Sequence, residues 1–208
     1  PVEACNIFLP KNLSVVGEQV DEDRIRRYVE KALERVKDIG ADTVVFGSGK
    51  ARAVPEGFAR EKAEEQLLHF LNLVADVADP LGITIAIEPL NQLECNIIVS
   101  VLEALQYAKQ VNRKSIRVLA DFYHMEMDNE PLENITAAKD YLHHVHVADT
   151  GRFAPGTGSY PYDKFAALLH DAGYDGRISI ECGWKQFEQE AKQARDFLAH
   201  QFHSPLKA

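Results

Sequence analysis

Six short apolar runs punctuate the chain: Ala4–Leu9, Thr43–Phe46, Ile83–Ile87, Ile116–Ala120, His143–Val147 and Arg177–Ile180. They are rich in Val and Ile, and most lack a polar partner at every second position. That is the pattern of a strand buried on both faces. The stretches between them carry helical stripes. A helix opening at Asp21 places Ile25, Val29, Leu33 and Val36 on one face and closes at Gly40. A second, from about residue 60 to 78, turns Leu67, Phe70, Leu71 and Val74 inward and is expected to stop before Pro80 and Gly82. Ser100 caps a third, expected to bury Leu102 and Leu105. Asp163 begins a fourth, running through Phe165 and Leu168 to Gly173, and the last covers about 186–202. No low-complexity linker or charge block interrupts this order, so residues 1–208 read as a single domain.

Strand and helix in strict alternation mean βαβ units and a parallel α/β sheet. A doubly wound sheet would usually show a Gly-rich phosphate turn after an early strand. The one candidate, Gly47-Ser48-Gly49, lacks the third glycine. The strand ends favour a barrel instead. The third run leads into Glu88, the fourth into Asp121, the fifth ends at His146, and the sixth leads into Glu181. In a β/α barrel such ends converge on one mouth. One acidic residue after a strand would read as a helix cap or a loop charge. Four consecutive strands each delivering a carboxylate or an imidazole read as a ligand set, mostly oxygen, suited to Mn²⁺, Mg²⁺ or Co²⁺. Three carboxylates buried together without a cation would cost several kcal/mol, on the order expected for unpaired buried charge.

The strings IAIEPLNQLE (85–94), ADFYHM (120–125), HVADTGRFAPGTG (146–158) and ISIEC (178–182) carry a family resemblance. They resemble the sugar isomerase/epimerase superfamily with the xylose isomerase-like (β/α)8 TIM barrel, and within it ketose 3-epimerases of the tagatose/psicose type. The resemblance implies an isomerase that epimerises a ketose at C3 through a metal-stabilised cis-enediolate. It implies that Glu88, Asp121, His146 and Glu181 ligate one divalent metal ion, and that Glu88 and Glu181 also serve as the acid/base pair. It further implies that Glu94, His124 and Arg152 contact the sugar. An ion chelating the carbonyl and a neighbouring hydroxyl would stabilise the charge that develops as the C–H proton leaves. Aldose–ketose isomerisation and inosose dehydration need the same site and stay open, as do DNA-repair endonucleases of the same barrel and a non-catalytic sugar-binding domain.

Charge narrows the classes. The chain has 23 basic and 32 acidic residues, a formal −9, so a phosphate backbone meets net repulsion. The basic clusters at Arg24, Arg26 and Arg27, and at Lys109, Arg113, Lys114 and Arg117, read as solvated faces. The expected partner is a small sugar, with no nucleic acid and no membrane; a homo-oligomer stays open. Cys5, Cys95 and Cys182 form no CxxC spacing. That argues against a disulfide framework and, with no signal-peptide pattern, places the chain in a reducing compartment, the cytoplasm. Barrels of this type take about 250 residues, and six strands are counted here. By the resemblance the first two βα units would precede Pro1, making the barrel incomplete and N-terminally truncated. Such a chain is expected to turn over weakly or not at all, even if it binds metal.

Overall fold

The apolar run Thr43–Phe46 is a strand whose four residues are all buried. The computed structural model describes residues 2–203. The elements in order are β1 (Ala4–Cys5), α1 (Glu22–Asp38), β2 (Thr43–Phe46), α2 (Gly49–Arg52), α3 (Arg60–Leu81), β3 (Thr84–Ile87), α4 (Val101–Val111) and β4 (Ile116–Asp121). Then follow α5 (Phe122–Met127), α6 (Asn134–Ala137), β5 (Leu142–Val147), a 3-10 turn (Thr150–Arg152), α7 (Tyr162–Asp171), β6 (Ile178–Ile180) and α8 (Phe187–His203). The strands form one sheet in chain order, β1 to β6. Parallel registers set Val45 beside Ala86, Ile87 beside Val118, and Val145 beside Ile178. The chain divides into two compact units, one reaching Leu119 and one starting at Ala120. The division falls inside β4. Among the described residues no helix is long and apolar enough to cross a membrane.

In the first unit the helices follow their stripes. The Asp21 carboxylate caps α1 by accepting from the Arg24 amide at 2.9 Å, and Ile25, Val29, Leu33 and Val36 are all buried. Val45, Ala86 and Leu119, from three neighbouring strands, meet in one apolar cluster. Four expectations need correction, the first being that β3 starts at Thr84 rather than Ile83. β1 ends at Cys5 rather than Leu9, because Ile7 adopts a positive φ of 56° and leaves the extended region. Pairing resumes only where the Phe8 amide donates to the Val45 carbonyl. The second long helix, α3, runs through Pro80. A proline in the last turn removes only one donor, and Gly82, at φ 68°, closes the end by donating to the Ala78 and Asp79 carbonyls. Leu102 faces solvent rather than the core; Val101, Ala104, Leu105 and Ala108 form the buried stripe.

Two arginines of this unit show contrasting environments. Arg113 lies in a solvated basic cluster, where Asp76 pairs with it at 2.9 Å and Asp79 at 2.7 Å. Arg52 on α2 is fully buried, and its guanidinium donates to the carbonyls of Phe46 (2.8 Å), Glu88 (2.8 Å) and Ile98 (3.2 Å).

In the second unit Phe122 is buried, stacked on Phe165 with ring centroids 4.1 Å apart and edge-on to Tyr162 at 5.0 Å. The Tyr162 hydroxyl donates to the Ala148 carbonyl at 2.9 Å. β6 starts at Ile178 rather than Arg177, and the Arg177 carbonyl accepts from the Tyr174 hydroxyl at 2.6 Å.

Asp79 ties α3 to the turn before β4: it accepts from Arg113 Nε at 2.8 Å and from the Ser115 amide at 3.1 Å. Partial burial pulls its pKa upward, but Ser115 and Arg113 outweigh this and hold the carboxyl below its ordinary value. A depressed carboxyl contributes stability above its unfolded pKa of about 3.9, and that contribution is lost as pH falls through the folded value. Asp79→Asn should therefore lower stability by about 1 kcal/mol at neutral pH. Urea unfolding should show the gap between variant and native protein shrinking below about pH 4. A gap that is constant with pH would refute the assignment.

Candidate functional site

β4 delivers Asp121 at its last position, 2% exposed. One carboxylate oxygen, Oδ1, caps α5 by accepting from the amides of Tyr123 (2.8 Å) and His124 (3.2 Å). Asp121 thus caps a helix with one of its two carboxylate oxygens. The other oxygen, Oδ2, stands 3.8 Å from His146 Nδ1 and 3.8 Å from His124 Nε2.

On β5, strand alternation sends His144 and His146 to the same side. His144 Nε2 pairs with Ser179 Oγ of β6 at 2.8 Å, and its ring meets that of His146 edge-on at 5.2 Å. His146 is 1% exposed, and its Nδ1 lies 3.2 Å from Glu181 Oε2. Glu181 follows β6, and its amide continues the ladder by donating to the Val147 carbonyl at 3.1 Å. Backbone pairing thus fixes where this carboxylate begins.

Asp121, His146 and Glu181 each offer one ligand atom, and these atoms lie within 4.8 Å of one another. Two donors about 2.2 Å from a single ion are at most about 4.4 Å apart, so the three fit one cation with a shift of a few tenths of an ångström. The chemistry of the set agrees. Two carboxylate oxygens and an imidazole nitrogen are donors that a divalent ion accepts.

Arg152 joins this group through a loop built on Asp149. The buried Asp149 carboxylate accepts from the amides of Thr150 (2.8 Å), Gly156 (2.9 Å) and Tyr160 (3.2 Å). Arg152 takes a positive φ of 61°, unusual for a residue with a side chain. Its Nη2 reaches Glu181 Oε2 at 3.1 Å, and its guanidinium lies over the Tyr123 ring at 5.0 Å. Burial works to raise the pKa of Glu181, but the His146 imidazole and the Arg152 guanidinium outweigh it and hold the carboxyl at about 2. Four aromatic residues lie near these positions in the sequence, and of them Phe122 is core. Tyr123 sits beside Arg152, Phe153 lies under the Lys185 ammonium at 4.2 Å, and Trp184 packs on Phe187 at 5.3 Å.

The remaining residues singled out from sequence lie in the first unit. Glu88 is buried just past β3, its amide donating to the Phe46 carbonyl at 3.2 Å. Glu94 is exposed on the following loop, where its carboxylate accepts from Asn91 Nδ2 at 3.1 Å. Asp149 was missed in the sequence. Its signal is the run Asp-Thr-Gly, since an aspartate before a small residue and a glycine is turn chemistry in which the side chain accepts from backbone amides.

The family model described as "Xylose isomerase-like TIM barrel" matches residues 5–201. Among curated relatives, the 3-dehydro-D-guloside 4-epimerase of Escherichia coli (strain K12) is 27% identical over 193 residues, covering 88% of this chain and 73% of the relative. The ketose 3-epimerase of Arthrobacter globiformis is 29% identical over 160 residues, covering 74% of this chain. The chain matches only 53% of that relative's length. Among solved structures, a D-psicose 3-epimerase crystallised in the presence of D-fructose superposes with a TM-score of 0.87 at 19% identity. It covers 97% of this chain and 78% of its own.

Arg152→Ala should raise the pKa of Glu181, because it removes one of the two groups that hold the carboxylate charged. Carboxyl-carbon NMR titration of chelator-treated protein should place the transition at higher pH in the variant. An unmoved transition would show that the ion pair does not form in solution.

Proposed function

Since the chain belongs to the family of xylose isomerase-like TIM barrels, we propose that its strand-end residues hold one divalent cation and epimerise a sugar at the carbon beside its carbonyl, C3 of a ketose. The convergence of Asp121, His146 and Glu181 carries this reading. Glu88 is assigned as the fourth ligand. Ile87 pairs with Val118, and Glu88 is the residue that follows Ile87 at the end of β3. By alternation Glu88 follows Ala86 and Asp121 follows Leu119, and Ala86 and Leu119 share one apolar cluster. Both sequence relatives described above are named as epimerases, which supports isomerase-class chemistry.

A divalent ion bound there supplies Lewis-acid stabilisation of the negative charge that develops on the carbonyl oxygen. Oxygen-rich ligation favours a hard ion of the Mn²⁺, Mg²⁺ or Co²⁺ kind. The protein's own residues do the rest. Glu88 and Glu181 form the acid/base pair: one carboxylate removes the proton from the carbon next to the carbonyl, and the other returns a proton to the opposite face, inverting the centre. His146 and Arg152 keep Glu181 anionic, the form that ligates a cation. His124, Arg152 and Glu94 hold sugar hydroxyls so that the reacting carbon lies between the two bases.

Two measurements test the proposal on the purified chain. Mn²⁺ titration followed by the free-ion EPR signal should show one tight site, weakened at least tenfold by Asp121→Asn and by His146→Gln. Incubation with D-fructose in D₂O should place deuterium at C3, with loss of the label in chelator; exchange is measured because it registers even slow turnover. Deuterium confined to C1 or C2 would indicate aldose–ketose isomerisation instead, and absence of an Mn²⁺ site would overturn the proposal.

A further inference from the structure

The segment Gly47-Ser48-Gly49-Lys50-Ala51-Arg52 lies between β2 and α3 and has so far been given no role. Its glycines resemble a phosphate turn, but the helix it opens, Gly49–Arg52, has four residues. That is too short to present the amides and dipole of an anion site. The segment is instead built against the loop that begins at Glu88. We infer that Gly47 and Arg52 are positioning residues that fix the Glu88 carboxylate; the inference rests on the reading of Glu88 as ligand and acid/base residue.

Arg52 acts on the backbone. Its guanidinium is fully buried and spans three carbonyls, those of Phe46 and Glu88 at 2.8 Å each and that of Ile98 at 3.2 Å. The Phe46 carbonyl also accepts from the Glu88 amide at 3.2 Å. Phe46 and Glu88 lie at and just past the ends of neighbouring strands, where the ladder runs out of partners. One planar five-donor group replaces those partners and holds Glu88 in line with its strand. The Ile98 carbonyl belongs to a residue at φ 55°, so Arg52 also pins the far end of the 88–98 loop.

Gly47 acts on the side chain. A Cβ built at this position would overlap Glu88 Oε2 and lie 3.0 Å from Glu88 Cδ. The carboxylate therefore lies flat against the Gly47 backbone, in space that any other residue would fill. The φ of Gly47 is outside the left-handed region, so alanine suits the backbone there and the flexible carboxylate is what must move. Gly49 closes the same surface: a Cβ on it would lie 2.8 Å from Leu90 Cδ1 and 3.2 Å from the Glu94 carbonyl. Backbone and carboxylate of Glu88 are thus held by two different residues of one short segment. A glutamate with three side-chain torsions needs both if it is to meet a ligand or a proton at a set position.

The test is Mn²⁺ affinity of the full chain by EPR, read together with the melting temperature, for Gly47→Ala, Arg52→Lys, Glu88→Ala and the double variant Gly47→Ala/Glu88→Ala. Gly47→Ala is expected to melt within a few degrees of the native protein yet bind Mn²⁺ at least tenfold more weakly. Arg52→Lys, which keeps the charge but not the three-carbonyl span, is expected to weaken binding similarly if it folds. In the Glu88→Ala background the added effect of Gly47→Ala should fall below twofold, because the group it displaces is gone. If Glu88→Ala weakens binding while Gly47→Ala stays within twofold of native, the positioning role is overturned and the ligand assignment survives. An equal loss from Gly47→Ala with and without Glu88 also overturns it. If Glu88→Ala itself leaves the affinity unchanged, the ligand assignment fails and the inference falls with it.

Discussion

A parallel sheet ends all of its strands in the same sense, and the rest of this molecule depends on that constraint. Strands buried on both faces must be apolar along their length. Carboxylates are accordingly kept to the places where the apolar runs stop, whereas β5 carries His144 inside the strand with its ring paired to Ser179. Each of β3, β4, β5 and β6 has a carboxylate or an imidazole at or just past its carboxyl end: Glu88, Asp121, His146 and Glu181. Polar side chains placed this way gather at one edge of a parallel sheet by geometry alone. In the second unit the outcome is visible as donor atoms 3.2 and 3.8 Å apart around His146.

The ends of these strands hold more charge than a protein interior normally tolerates, and the local structure is arranged to bear it. Asp121 gives one oxygen to two helix amides, which stabilises the carboxylate independently of any ion. Glu181 gains the same kind of support from a guanidinium and an imidazole. Asp149 is another buried carboxylate, and it has a different use. Satisfied by three backbone amides, it organises the turn from which Arg152 reaches Glu181. Buried carboxylates thus divide between those that face the cluster and one that shapes the loop around it.

Much of this was legible in the sequence, for a physical reason. The period and length of the apolar runs report burial directly, so β2 matches its expected bounds, Thr43–Phe46, and the α1 stripe matches residue by residue. The order of the strand-end carboxylates and imidazole needed only the alternation of elements. Departures arose where a local backbone choice overrode the pattern. Ile7 at φ 56° ends β1 early, and Pro80 is absorbed because the helix was about to end there. Leu102 shows the limit of reading a stripe from two leucines: smaller residues, Ala104 and Ala108, face the core instead. The loops were the least legible. Nothing in the spacing of Asp149 and Arg152 reveals that one sets the backbone of the other, and nothing in the run Gly-Ser-Gly reveals that its missing side chains make room for Glu88.

The two arginines near the strand ends show why residue type cannot be exchanged freely at such positions. Arg152 faces a carboxylate and moderates its charge, a task in which position matters and an ammonium could partly serve. Arg52 faces three neutral carbonyls, so what it contributes is directional donation rather than charge neutralisation. Burying a cation this way is costly unless the acceptors are well aligned. The alignment comes from the sheet itself, because β2 and β3 are paired in register and present the Phe46 and Glu88 carbonyls at adjacent strand ends. A strand pairing that exists for packing reasons therefore also creates the acceptor geometry that makes a buried guanidinium tolerable. The guanidinium in turn extends the order of the ladder past its last bond, to the residue where the chemistry is expected to begin.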